Sequence, residues 1–458
     1  MRGAALHEVA SAMGAVPQDV DAGAVARGAA IDSRNVREGD LFFALRGRVD
    51  GADFAADALG RGAVAVVASR PLSGPTLVVE DPVAALQDLA RWSLRRPGAG
   101  APTVVGITGS VGKTTTKDAL SAVLRSAGTR VAATVGNFNN EIGLPLTVLG
   151  APDNAEVLVL EMGATHVGNI AELCRVAPPE HGILTAIAPA HLESFGSLEA
   201  LAATKGELAA SLPSGGTLVS PAGVPEAAIS PEKELARRIV FSRYSDAGDL
   251  WASDFYEEEK GLRFVAHLED RSAVVRSPVF GTHLVEPLLA AIGGAVALGM
   301  DLEDAAGGIS RLKRTGMRGD VYRLREDVLV YDDSYNAASP PSMAAVLRYA
   351  VEAAGRQKRR LVVVLGGMFE LGAGARAYHR EIGDLANEIG VDLLVCVGDE
   401  ARWYAETFQG EAIFYPDAKS SIAIRERLMP GDYLIVKGSR GVGLDTLTRQ
   451  LKESSALV

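Results

Sequence analysis

The residues Gly109, Ser110, Val111, Gly112, Lys113, Thr114 and Thr115, within "GITGSVGKTTTKDAL", have the composition of a phosphate cradle. Two glycines let backbone N–H groups turn inward, and a following helix N-terminus favours negative charge. Lys113 can then meet terminal phosphates and Thr114 can ligate Mg²⁺. The spacing departs from the commonest form, G-x-x-x-x-G-K-[ST], because Ile107 stands where its first glycine would be. Context decides in favour of nucleotide binding: the loop lies between an apolar strand, "TVVGIT", and a helix expected to begin near Thr115. Glu161 follows a second apolar strand, "EVLVL", so its carboxylate should emerge at the C-terminal edge of a sheet, where open α/β folds bind ligands. Thr114 and Glu161 together suit one Mg²⁺ bridging the β- and γ-phosphates of a nucleotide.

These groups need a mostly parallel sheet to hold them, and the chain supplies its pattern. The short apolar runs "TVVGIT", "EVLVLEM", "HGILTAIA" and "TLVS" alternate with helical stretches, the signature of strands covered by helices. A second α/β series, "VLVYDD", "RLVVVLGG", "DLLVCVG" and "DYLIVKG", follows Gly319. Between the two, residues 251–278 alternate charged and apolar residues around "EEEKG" and predict a hairpin insertion. The Pro- and Gly-rich "RRPGAGAP" separates an earlier strand, "TLVVE", and its helix from the central series.

Composition bounds the remainder. At 458 residues and 48% hydrophobic, the chain exceeds the usual size of one domain. Its net charge of −11 argues against a nucleic-acid surface, although local basic clusters can still hold anions. Cys174 and Cys396 match no metal-ligand spacing and suit a reducing compartment. The start, "MRGAALHEVASAMGA", lacks an apolar signal core, and no later stretch approaches 18 uncharged apolar residues. A cytoplasmic protein without a membrane span is expected, and a monomer.

The shortened phosphate loop resembles that of the ATP-dependent Mur ligase family. "NFNNEIGLPLTVL", "LEMGATHVGNIAEL", "AIAPAHLESFGSLEALAATKGEL", "DDSYNA", "LGGMFELG" and "VKGSRG" occur in the order expected of its branch that joins D-alanyl-D-alanine to a UDP-N-acetylmuramoyl-tripeptide. "DDSYNA" and "NFNNEIGLP" favour that branch over the ligase adding the third amino acid and over folylpolyglutamate synthase. The resemblance implies a three-domain α/β architecture: residues 1–99 binding the UDP-sugar, 100–318 forming a central ATPase-type domain, and 319–458 forming a Rossmann-like domain for the incoming dipeptide.

The resemblance also assigns roles. Ser33, Arg34 and Arg46 in "IDSRNVREGDLFFALRGRVDGADF" become diphosphate or uridine contacts, and Asn140 joins the nucleotide set. His191 is similar to a second metal ligand and Lys205 to a carbamylated lysine, whose anionic form could orient Mg²⁺. Asp333 would contact the nucleotide, and Arg318 would meet the transferred phosphate. Asn336, Lys437, Ser439 and Arg440 would orient the dipeptide. His379 matches a family position without a derivable role. The implied chemistry is attack of the tripeptide carboxylate on ATP to form an acyl phosphate, then amide formation with the dipeptide amine. Two alternatives stay open: a related ligase with another acceptor, and a nucleotide-binding protein that has lost catalysis. The third peptide residue, lysine or diaminopimelate, is not encoded legibly. The chain departs from the family at Ala52 (usually His), at Gly367 (usually Asp), and at Leu284 and Pro287, where two asparagines usually sit near adenine. That last departure predicts loose selection of adenine.

Overall fold

The computed structural model describes residues 3–21, 23–96, 100–189, 192–230, 234–244, 247–313, 319–325, 327–335 and 339–456. Three large sheets organise them. The central one has nine strands, in the order 271–277, 261–268, 250–258, 237–242, 217–221, 181–184, 103–108, 157–161 and 131–133. Its strands run parallel from 131–133 through 250–258, and the last two are antiparallel. The hairpin expected over 251–278 is thus a three-stranded meander that extends the parallel sheet. Its first turn lies at Glu259 and Lys260.

Because successive side chains on a strand face opposite sides, one apolar run serves two cores. Val105 and Ile107 point into a core with Leu120, Val123, Leu288 and Ile292 from helices Lys113–Ser126 and Val285–Ala297. Val104, of the opposite alternation, joins Leu144, Val148, Leu158 and Leu160 on the other face. Leu120 is fully buried, and its side chain by itself contributes about 1.5–3 kcal/mol relative to exposure. The helix Val285–Ala297 lies close to the sheet because Gly293 and Gly294 carry no side chain: a Cβ at Gly294 would press on Ile183 and Leu120.

The N-terminal five-stranded sheet runs 16–18, 76–78, 65–68, 40–43 and 28–30, with only the first strand antiparallel. Its helix Pro82–Arg95 is N-capped by Asp81, whose carboxylate accepts from Val83 N–H, and has proline in its first turn, both strong start signals. Leu86 and Leu89 of this helix share one core with Leu144 and Leu149 of the central domain. The Gln87 amide also donates to Glu141 O at 3.1 Å.

The C-terminal sheet runs 320–323, 329–333, 432–437, 360–366, 393–397 and 411–415, with only its first strand antiparallel. Strand 432–437 sits between 329–333 and 360–366, so the strand order reverses there. A ligand crevice belongs outside the carboxyl ends of such strands. No helix among the described residues is long and apolar enough to cross a membrane.

Helix Leu198–Ala210 carries a glycine in its interior, Gly206, which ordinarily weakens a helix by about 1 kcal/mol relative to Ala. Here the backbone of the turn Glu226–Ala228 occupies the space. A Cβ at Gly206 would run into Ala227 O and meet Ala228 Cα at 3.0 Å. Gly206→Ala is therefore expected to destabilise by about 1–3 kcal/mol, the overpacking cost outweighing the propensity gain. Urea unfolding followed by circular dichroism checks this; an unchanged or raised midpoint would mean the turn yields freely.

Candidate functional site

Strand Thr103–Thr108 delivers the phosphate loop to the centre of the sheet, and the helix after it begins at Lys113. Gly109 has φ +144° and Gly112 φ +88°, in the region that L side chains rarely adopt. A Cβ at Gly109 would also collide with Thr185 Oγ1 and sit 2.9 Å from Ala186 N. The loop is braced by residues 185–188: Ser110 N–H donates to Ala186 O at 2.8 Å, and the Thr185 hydroxyl donates to Val111 O at 2.6 Å. The Ala188 N–H donates to Ser110 Oγ at 3.1 Å. Lys113 Nζ donates to Gly109 O at 2.7 Å, so the cation lies over its own loop.

Glu161 ends the neighbouring strand Val157–Glu161 and is buried. A buried carboxylate needs partners, and it has them. Its Oε2 accepts from the Thr114 hydroxyl and its Oε1 from the Asn139 amide, both at 2.8 Å, while its N–H donates to Thr134 Oγ1 at 2.9 Å. Asn139, not Asn140, is therefore the residue that reaches the site. Asn140 is exposed, and its Oδ1 caps the next helix by accepting from Ile142 and Gly143 N–H. The loop turns the Asn140 side chain toward the helix start.

Lys205 is buried on helix Leu198–Ala210. Burial, followed by the nearby charge of Lys113, lowers its pKa to about 7, with Glu207 and Glu161 opposing. Glu207 itself takes the N–H groups of Gly168 and Ala171 at 2.8 and 2.9 Å.

The C-terminal domain closes the same cleft, a cavity of about 650 Å³ lined by the phosphate loop, Asn139 and Glu161 on one side and by Asp333, Tyr335, Ser439 and Arg440 on the other. Arg440 stacks over the Tyr335 ring at 4.6 Å and donates to its hydroxyl at 2.9 Å. Ser439 Oγ accepts from Phe369 N–H at 3.0 Å. Lys437, expected to meet the dipeptide, is instead buried beneath the cleft, and its ammonium pairs with the Asp333 carboxylate. Parallel register places Asp333 opposite Lys437, so the lysine neutralises the aspartate. His379 gains a definite place: buried, it accepts from Met368 N–H at 2.9 Å through Nε2 and contacts Ala375 O at 2.7 Å through Nδ1. It pins the turn that presents Phe369. His191, Arg318 and Asn336 lie outside the described residues.

The N-terminal candidates are not among the residues lining this cleft. Ser33 is buried and hydrogen-bonded to the Asp57 carboxylate. Arg34 is exposed and paired with Asp32 at 2.6 Å. Its hydrogen bonds hold the Asp32 carboxyl down to about 2. Arg46 is exposed beside an isolated bridge to Asp50.

Pro287 is the third residue of helix Val285–Ala297, a place where its missing N–H is no loss. Its carbonyl accepts from the Thr116 hydroxyl at 3.1 Å, and its ring lies 3.1 Å from where a Gly112 Cβ would be. This helix start is thus fastened to the phosphate loop.

Three family models match the chain: "Mur ligase family, catalytic domain" over residues 26–91, "Mur ligase middle domain" over 107–295, and "Mur ligase, glutamate ligase domain" over 317–440. The UDP-N-acetylmuramoyl-tripeptide--D-alanyl-D-alanine ligase of Mycobacterium tuberculosis is 37% identical, covering 95% of this chain and 94% of its own length. The crystal structure of MurF from Acinetobacter baumannii superposes with a TM-score of 0.87 at 28% identity, covering 99% of both chains. MurF ligase from Thermotoga maritima, solved in complex with ADP, matches with a TM-score of 0.81 at 31% identity, covering 93% of this chain and 98% of its own. The chain belongs to the Mur ligase family.

Proposed function

We propose that this chain uses ATP to join D-alanyl-D-alanine to a UDP-N-acetylmuramoyl-tripeptide, a step of peptidoglycan precursor synthesis. The observation that carries the reading is the shared cleft, in which the phosphate loop and Glu161 of one domain face Ser439, Arg440 and Tyr335 of another. Two charged substrates can meet there across ATP. The name of the M. tuberculosis relative and the ADP bound by the T. maritima relative support it.

The tripeptide carboxylate attacks the γ-phosphate, an O–P bond forms, and ADP leaves. The dipeptide amine then attacks the acyl phosphate carbonyl, and inorganic phosphate leaves from the tetrahedral intermediate while the amine loses its proton. Catalysis of this kind is positioning and charge stabilisation. The N–H groups of Ser110–Thr115 and the Lys113 ammonium receive the phosphates, and Arg318 meets the transferred one. Asp333 contacts the nucleotide. Ser439, Arg440 and Asn336 orient the dipeptide, and Ser33, Arg34 and Arg46 bind the UDP moiety in residues 1–99.

The hydroxyl of Thr114 and the carboxylate of Glu161 already point at one another across 2.8 Å, a hard-oxygen pair that suits Mg²⁺ shared with phosphates. Thr114 and Glu161 are the residues that would hold it, together with His191 by the family resemblance. The ion would supply positive charge to the phosphate oxygens. Lys205, with its pKa near 7, has a large neutral fraction at neutral pH. A neutral amine adds to dissolved CO₂ with loss of a proton, giving a carbamate, an anion that could orient Mg²⁺.

Phosphate release should require ATP, a UDP-muramoyl tripeptide and D-alanyl-D-alanine together. Assays with lysine- and diaminopimelate-containing peptides also identify the third residue, and equal release without dipeptide would overturn the assignment. Lys113→Ala should lower kcat by about 10²–10³-fold, the usual effect of removing a preorganised donor, with an unchanged circular dichroism spectrum. Wild-type ligation by that variant would remove the lysine from the mechanism. Lys205→Ala should be nearly inactive and partly restored by a short carboxylic acid in solution, but not by the corresponding neutral amide. Full activity of Lys205→Ala without any additive would exclude the carbamate role.

A further inference from the structure

The chain leaving strand Arg360–Gly366 reaches the cleft at Phe369, Glu370 and Leu371. Just before that point its backbone is held at four successive residues. The Tyr404 hydroxyl donates to Gly366 O at 3.0 Å, and Ser439 N–H donates to Gly367 O at 3.1 Å. Met368 N–H donates to His379 Nε2 at 2.9 Å, and Phe369 N–H donates to Ser439 Oγ at 3.0 Å. Ser439 is therefore tied to this segment twice, through its own N–H and through its hydroxyl oxygen. The two chains approach closely because Gly438 carries no side chain: a Cβ there would lie 2.8 Å from Gly366 Cα. His379 belongs to a different element, helix Ala375–Glu388, and is not among the residues lining the cleft. It is fully buried, with the rings of Trp403 and Tyr404 at 5.2 and 4.7 Å. Since Nε2 accepts, the neutral ring carries its proton on Nδ1 and donates it to Ala375 O at 2.7 Å. One ring nitrogen thus serves the helix and the other the segment.

We infer that His379 is a positioning residue for the dipeptide step, acting through Met368 on the segment that holds Ser439. This rests on the reading of Ser439 and Arg440 as the residues that orient D-alanyl-D-alanine. Without the imidazole, Met368 N–H becomes a buried donor with no acceptor, and the strain is relieved when the segment shifts toward water. Both bonds to Ser439 shift with it. The phosphate loop and Glu161 stand on the other side of the cleft, so the loss falls on the dipeptide rather than on ATP.

Two amide side chains separate the functions of the two ring nitrogens. Gln carries an oxygen out to the Nε2 position and can still accept from Met368; Asn keeps a donor near Nδ1 for Ala375 O but falls short of Met368. In the full-length enzyme with all three substrates, His379→Asn should raise KM for D-alanyl-D-alanine about tenfold or more, the usual effect of a buried N–H left unpaired. The KM values for ATP and the UDP-tripeptide and the kcat should change less than about twofold, the mark of a lost binding contact. His379→Gln should restore most of the dipeptide affinity. In a Ser439→Ala background the effect of His379→Asn should shrink, because the two residues act along one chain of contacts. Equal effects of Asn and Gln, a rise shared by all three KM values, or full additivity with Ser439→Ala overturns the inference. If His379→Asn does not fold, Tyr404→Phe, which frees Gly366 O of the same segment, replaces it, and an unchanged dipeptide KM in that variant overturns the inference. Absence of dipeptide-dependent phosphate release in the wild type overturns the ligase reading, and this inference with it.

Discussion

The Glu161 carboxylate is the group around which the site is built. It is buried, and an unpaired buried charge is costly enough that its partners become obligatory. The carboxylate's partners come from separate segments, Thr114 from the helix after the phosphate loop and Asn139 from the loop before helix Gly143–Leu149, while the backbone N–H of Glu161 donates to Thr134 just past the edge strand. One charge thus fixes the relative positions of three chain segments that converge at the sheet's C-terminal edge. The hydroxyl and carboxylate lie ready for a cation, and the backbone of the loop is held open by two glycines and braced from the adjacent strand.

The second constraint is the joint between the central and C-terminal domains. His283 contacts Tyr331 and Tyr349, with ring centroids 6.4 and 5.6 Å apart, and the Tyr331 hydroxyl lies 3.3 Å from His283 Nε2. Desolvation in this seam lowers the His283 pKa to about 4, so the ring stays neutral across the physiological range. Glu257 and Arg356 add an ion pair at 3.0 Å. These contacts set how far Arg440 and Tyr335 stand from the phosphate loop.

Legibility in the sequence followed locality. The phosphate loop was readable because its glycines, lysine and threonine are consecutive and follow an apolar strand. Glu161 was readable from strand periodicity alone. Asn139 and Asn140 could not be told apart, since adjacent loop residues diverge by a backbone rotation that composition does not encode. The pairing of Lys437 with Asp333 was hidden for a different reason: it depends on the register of strands about a hundred residues apart. The burial of Lys205 was equally hidden, because a lone lysine in a helix ordinarily keeps its ammonium in water. The meander after residue 250 needed knowledge of which sheet edge was free.

The core shared by helix Pro82–Arg95 and the central domain bears on how the molecule comes apart. Peeling the N-terminal unit away would strip apolar cover from Leu144 and Leu149, so those two regions lose structure as one cooperative block. The fully buried core residues of the C-terminal sheet all come from its own part of the chain, and it meets that block through Phe280, aromatic rings, an ion pair and the walls of the cleft. Amide exchange should therefore divide the chain into two blocks of unequal protection rather than into three domains. A nucleotide bridging the cleft would bind only when both are folded, and by mass action would draw their melting transitions together.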